Sequence, residues 1–245
     1  MKNAEAWTPS KFVLRRGELR ASRDPKEVGI ASRVMADLIG AFYQRALKQH
    51  CRGRLLDLGC GKVPLYLAYR ELVSENVCVD WAQSMHKNAF LDVECDLSQA
   101  LPFEDAAFDT IILSDVLEHI ATPEKLWQEM TRILRPGGKI LMNSPFFYSL
   151  HETPHDYYRY TEFALRRFCE LNNLTVVEIS ALGGAPEILA DVMAKNLMRA
   201  AAPGRAAASF LQRLCWAVGR TRLGAKISRS SADGFPFAYA MIAQK

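Results

Sequence analysis

The chain has 245 residues, 49% of them hydrophobic and 24% charged, with a formal net charge of +4. That composition excludes a disordered or fibrous protein, and the length suffices for one domain, residues 1–245, with a real core. So small a charge makes no case for a nucleic-acid partner, and there is no run of about 18 apolar residues to cross a bilayer. Residues 1–23 are polar and basic, without the apolar segment of a secretory signal. The six cysteines (Cys51, Cys60, Cys78, Cys95, Cys169 and Cys215) form no CxxC pair. They read as reduced thiols packed as small apolar groups, which makes the cytoplasm the expected compartment and zinc an unexpected ligand.

A first helix is expected over 24–49, with Asp24 as N-cap, Pro25 at N1 and Glu27 completing a capping box. Strands then alternate with helices. Residues 54–58 are an apolar run entering Gly59-Cys60-Gly61, and 64–73 read as helix. Residues 76–80, 90–95 and 110–114 read as strands. Thr122-Pro123 opens a helix that stops at Pro136-Gly137-Gly138, followed by a strand at 139–143, a helix at 161–172 and strands at 174–179 and 237–243. This alternation predicts an α/β fold, a doubly wound, mostly parallel sheet with a late antiparallel hairpin. Residues 185–232 read as a helical insertion before the last strand, with helices near 186–200 and 206–219 broken at Pro203-Gly204. It carries eight Lys or Arg against Glu187 and Asp191, a balance of +6, so the remainder of the chain stands at −2.

The strongest local signal is Leu55-Leu56-Asp57-Leu58-Gly59-Cys60-Gly61, a buried strand turning on glycines into a helix. Glycines there let the backbone approach a ligand closely, and open α/β sheets bind ligands outside the carboxyl ends of their strands. Asp80, at the end of the next strand, is placed to accept hydrogen bonds from ribose hydroxyls. A dinucleotide dehydrogenase is disfavoured because Pro64 stands where GxGxxG has its third glycine. Asp57 also puts a negative charge near a would-be pyrophosphate, whereas a cationic ligand tolerates it. The plain alternative is a turn that only joins strand to helix.

Several motifs in register over residues 50–145 resemble class I, Rossmann-like methyltransferases. They are Asp57-Leu-Gly-Cys-Gly61, Val79-Asp80, Cys95-Asp96-Leu97, Leu101-Pro-Phe-Glu-Asp105 with Phe108-Asp109, Leu113-Ser-Asp-Val-Leu-Glu-His-Ile120, and Glu129 to Gly138. The resemblance implies a seven-stranded sheet with a reversed last strand and S-adenosyl-L-methionine as cofactor. It implies that Gly59 and Gly61, with Asp57 and Cys60, line the aminoacyl end, and that Asp80 takes the ribose. Asp96 and Leu97 then border the adenine, and Ser114 lies under the methyl donor. Lys62-Val63 departs from the threonine and third glycine many members carry, which leaves the loop's shape open. Trp81 stacks near adenine or serves as a core aromatic. His119 faces substrate or is a structural histidine.

Residues 146–161 form the expected substrate loop, dense in His, Tyr, Asp and Arg. Its Pro-His-Asp-Tyr-Tyr-Arg-Tyr-Thr run resembles bacterial methyltransferases often associated with glycan pathways. His155 or His151 is the expected general base for a hydroxyl acceptor, with Asp156 orienting one of them. Alternatively, Asp156 and Arg159 only hold the loop shut. A metal site from His151, His155 and Asp156 is not expected, since the spacing fixes no geometry. The loop is expected to serve the acceptor and not the cofactor. The expected partner is a small-molecule or glycan-type substrate. The basic insertion is either a cap on the sheet or a peripheral membrane surface, and the chain as a whole is an enzyme or a non-catalytic cofactor-binding module.

Overall fold

The computed structural model describes residues 1–82, 89–200 and 202–245. The chain opens with a hairpin the sequence reading did not foresee, β1 (Phe12–Arg15) and β2 (Glu18–Ala21). Its two-residue turn, Arg16-Gly17, has φ of 53° and 79°, the left-handed pair that matches strand twist in a tight hairpin. The helix expected from Asp24 begins only at Arg33, as α1 (Arg33–His50). Asp24 does bond the backbone of Lys26 and Val28, but extended backbone at Gly29 interrupts the turn. Glu27 closes no capping box; it reaches Lys62 at 2.8 Å.

The sheet follows with β3 (Arg54–Leu58), α2 (Tyr66–Tyr69), β4 (Glu75–Asp80), β5 (Val93–Glu94), β6 (Phe108–Ser114), α3 (Pro123–Ile133), β7 (Leu134–Pro145), α4 (Glu162–Leu171) and β8 (Thr175–Leu182). Then come α5 (Ala185–Leu197), α6 (Ala202–Gly219), α7 (Arg222–Ala232) and β9 (Ala238–Gln244). The helical stretch expected at 64–73 shrinks to the single turn of α2. Pro136-Gly137-Gly138 lies inside β7, because the chain turns straight from helix into strand at Leu134. Three helices, not two, fill the insertion; Thr221 caps the third by accepting from the amide of Gly224.

The seven strands run in the order β5-β4-β3-β6-β7-β9-β8. All neighbours are parallel except β9, which is antiparallel to both β7 and β8. This is the doubly wound, seven-stranded sheet with a reversed last strand. Each face has its own core. Trp127 and Met130 of α3 and Leu165 and Cys169 of α4 cover one face; Phe42, Tyr43 and Leu47 of α1, with the β1–β2 hairpin, cover the other. Burial on both faces is why Leu55, Leu56, Leu58 and Ile111 to Leu113 are buried and apolar on both sides of the strands. The order reverses between β3 and β6, and their carboxyl ends, Leu58 and Ser114, open the crevice where the site forms.

Candidate functional site

At the end of β3 the amides of Gly59 and Cys60 donate to Val79 O at 2.8 and 3.0 Å, which clamps the turn against β4. Gly59 has φ +66°, and a Cβ there would lie 2.5 Å from the Val116 side chain. The turn therefore needs glycine for both conformation and space. The Lys62-Val63 departure has a clear outcome. Val63 adopts φ 51°, a strained setting for a β-branched residue, and it is buried, with its carbonyl accepting from Trp7 Nε1 at 3.2 Å.

Asp80 stands across from this turn. Its Oδ2 accepts from the Gly61 amide at 2.9 Å and its Oδ1 from the Trp81 amide at 2.8 Å. Gly59, Cys60, Gly61, Asp80, Trp81, Asp96, Leu97 and Ser114 all line one cavity of about 710 Å³. Asp57 does not. It lies buried beneath the turn, accepting from Tyr69 Oη at 3.1 Å, and burial pushes its carboxyl up to about 7. Ser114 is fixed by a bond to Asn143 Oδ1, which Tyr43 also contacts.

The loop after β7 closes the cavity's other wall. Glu152, Thr153, Pro154, His155 and Tyr157 line it together with the glycine turn. His155 meets Trp81 edge-on at 5.3 Å between ring centroids, and its Nδ1 lies 3.1 Å from Tyr157 Oη. The loop is thus a wall of the same chamber as the glycine turn. The N-terminal segment completes it with Lys11, Lys26 and Glu27, residues the sequence reading gave no role in the site. Lys11 pairs with Asp115 at 2.6 Å.

His119, which lines this same cavity, and His151 converge on Glu118, whose side chain is fully buried. Burial raises the Glu118 carboxyl above its ordinary range, against the lowering effect of His151. Burial lowers the His151 imidazole, but Glu118 and Asp156 outweigh it and the net shift is upward. Asp156 contacts both residues named with it. It takes two bonds from Arg159, at 2.6 and 2.8 Å, and it faces His151 Nδ1 at 3.3 Å. The Arg159 guanidinium, ahead of an opposing burial effect, holds Asp156 down at about 2. Beside the main cavity a smaller one of about 190 Å³ is lined by His151, Tyr148 and Ser32, and shares Lys11, Glu27, Asp115 and Glu152 with it.

Residues 56–142 match the family model described as a methyltransferase domain. Among curated relatives, a ubiquinone/menaquinone biosynthesis C-methyltransferase of Vibrio vulnificus is 28% identical over 178 residues, 54% of this chain and 68% of that protein. A ubiquinone biosynthesis O-methyltransferase of Parvibaculum lavamentivorans is 31% identical over 94 residues, 35% of this chain and 37% of that protein. The chain spans less than half the length of the first of its curated relatives, for example 31% and 47% of two uncharacterized proteins from Streptomyces fradiae and Methanocaldococcus jannaschii. Among solved structures, an S-adenosylmethionine-dependent methyltransferase from Mesorhizobium loti has a TM-score of 0.54 at 15% identity, covering 85% of this chain and 100% of that one. The [4+2]-cyclase SpnF has the same score at 16% identity, covering 86% and 81%. These likenesses show the fold; they carry no reaction with them.

Proposed function

We propose that this chain is an S-adenosyl-L-methionine-dependent methyltransferase acting on a hydroxyl of a small-molecule or glycan-type acceptor. The observation that carries the reading is one chamber that joins a glycine turn and ribose-placed acid to a histidine–carboxylate cluster. The residues fit the cofactor. Gly59 keeps open a cradle that a Cβ would fill, and Asp80, held beside the turn by the Gly61 and Trp81 amides, presents its carboxylate to the cavity where ribose hydroxyls would lie. When bound, the cofactor supplies an electrophilic methyl group on a sulfonium, which departs as a neutral thioether. The chain's own task is to align the acceptor oxygen, exclude water and receive the hydroxyl proton. The smaller cavity adjoining Asp115 and Glu152 offers the acceptor a place, and the Glu118–His119–His151 cluster receives the proton or its equivalent. His155 is the weaker choice for that role, with one ring nitrogen beside Tyr157 Oη and the ring edge against Trp81.

Turnover can be read by mass as S-adenosylhomocysteine released in the presence of hydroxyl acceptors. His119→Ala is expected to leave cofactor affinity nearly intact and to lower turnover by roughly 10²–10⁴-fold. An unchanged rate removes the cluster from the reaction. Tight cofactor binding with no acceptor ever methylated favours a non-catalytic module instead.

Peripheral contact with an anionic membrane through α5–α7 belongs to the same reading. Both acids of the insertion, Glu187 and Asp191, are buried, while Arg199, Arg205, Arg213, Arg220, Arg222, Lys226 and Arg229 are exposed. Exposed Leu189, Met193, Phe210, Leu214, Leu223 and Ile227 lie on the same three helices, and basic charge with apolar anchors suits a lipid surface.

A further inference from the structure

We infer that Glu118, His119 and His151 form a binding site for one divalent first-row transition cation of the manganese–iron–zinc class. Each of the three offers one ligand atom, and the three atoms lie within 4.8 Å of one another. Glu118 Oε1 is 3.9 Å from His119 Nε2 and 3.8 Å from His151 Nε2. Two atoms bound to one ion at about 2.0–2.2 Å lie at most about 4.4 Å apart, so both separations fall inside that limit. Glu152 Oε2, 3.9 Å from His119 Nε2, stands as a fourth oxygen on the cavity side.

The unmet needs of these atoms point the same way. Glu118 Oε1 and His119 Nε2 are buried and have no hydrogen-bond partner, although buried polar atoms are nearly always paired. Nor is direct pairing available, because 3.8–3.9 Å exceeds hydrogen-bond reach. The far side of each ring is already occupied. His119 Nδ1 donates to His155 O at 2.9 Å. His151 Nδ1 faces Asp156 Oδ2 at 3.3 Å and Ser149 O at 3.2 Å. A carbonyl can only accept, so a ring that holds a single proton carries it on Nδ1 and turns its Nε2 lone pair toward Glu118. That arrangement, with a carboxylate or carbonyl behind each imidazole, is how metal-ligating histidines are oriented. Asp156 is itself locked by Arg159 and by the His151 amide, which gives the His-Asp-Tyr-Tyr-Arg run a structural purpose. Two imidazoles with one carboxylate select a transition cation over magnesium or calcium, which prefer all-oxygen sets. Such an ion favours ionisation of a hydroxyl bound to it. To that extent the proposal deepens the methyl-transfer reading, but cation binding itself does not depend on it.

The test uses the full chain stripped with chelator and titrated calorimetrically with Mn²⁺, Zn²⁺ and Mg²⁺, without cofactor or acceptor. We expect one Mn²⁺ or Zn²⁺ per chain and at least about 100-fold weaker Mg²⁺ binding. Affinity should fall at least about 100-fold in His119→Ala and in His151→Ala, and about 10–100-fold in Asp156→Asn, which alters only the group behind a ligand. Thermal melting establishes that each variant is folded; should His119→Ala melt, His151→Ala, on a partly exposed loop, still decides. No binding at about millimolar Mn²⁺ and Zn²⁺, or binding unchanged in His151→Ala, overturns the proposal and leaves a buried His–Glu ion pair. Failure here leaves the methyl-transfer reading standing. A chain that binds the cation but methylates nothing fails in that reading alone.

Discussion

Asp80 sits where several demands meet in one carboxylate. It restrains the glycine turn through the Gly61 amide and its own strand end through Trp81, and it faces the cavity. Asp80→Ala is therefore expected to weaken cofactor binding by about 1–3 kcal/mol, the usual loss for a charge-assisted hydrogen bond. Calorimetry showing parental affinity would remove the ribose assignment. Asp57 is a different kind of acid. Burial beneath the turn pushes its carboxyl from 3.8 up to about 7, so between those values the folded chain holds a proton that the unfolded chain has released. Its contribution is fully present below about pH 4 and is lost as pH rises toward 7. Between about pH 5 and 8 the parent should lose roughly 2–3 kcal/mol more stability than Asp57→Asn, whose side chain does not titrate. Urea unfolding at the two pH values measures this, and parallel losses would mean that Asp57 is already ionised throughout.

At the scale of elements, the strands and helices of the cofactor half were legible because two-sided burial writes itself as apolar runs. Linked motifs were legible for a reason the structure makes concrete. Arg132, in the Glu129-to-Gly138 run, donates to Leu101 O and Phe103 O, while Glu129 accepts from the Leu101 amide. Two separated motifs are thus one clamp. The β1–β2 hairpin was not legible, since its strands are only four residues long and its turn signal is only Arg16-Gly17. Nor was the pairing of Glu118 with His151, which depends on how the loop after β7 folds back over β6. The helices of the insertion are legible in its apolar spacing, but the burial of both its acids is a tertiary fact. Its seven exposed cations should contribute about 1 kcal/mol each near an anionic surface, fading within a Debye length. Co-sedimentation with phosphatidylserine vesicles should then be strong at low salt, weak at physiological salt and absent when Arg213, Arg220 and Arg222 become Glu. Cofactor affinity should be unaffected, because none of these residues lines the cavity. No sedimentation at either salt makes α5–α7 a cap alone. In that role it is already anchored: Gln212 accepts from the Val34 amide in the first turn of α1.

For the whole molecule, what matters is that the cavity is walled by segments far apart in the chain. Ser10, Lys11, Lys26 and Glu27 come from the N-terminal segment, Gly59 to Asp80 from the first strand–turn–strand unit, Ser114 to Ala121 from beyond β6, and Glu152 to Tyr157 from the loop after β7. A ligand filling this space ties together regions that would otherwise separate on unfolding, and it binds only the folded chain. At a concentration near 100 times its dissociation constant, S-adenosylmethionine should stabilise the fold by about 2.7 kcal/mol. For a chain of this length that corresponds to a rise in melting temperature of roughly 5–11 °C. S-adenosylhomocysteine, which shares the nucleoside and aminoacyl parts, should act similarly. NAD should give little or no shift, because its pyrophosphate meets a turn whose third glycine position is Pro64 and beside which Asp80 faces the cavity. In Asp80→Ala, with about 1–3 kcal/mol lost in binding, the stabilisation at the same concentration should fall to roughly 0.3–1.8 kcal/mol. A chain stabilised by NAD and indifferent to S-adenosylmethionine would reverse the cofactor assignment and return the site to dinucleotide chemistry.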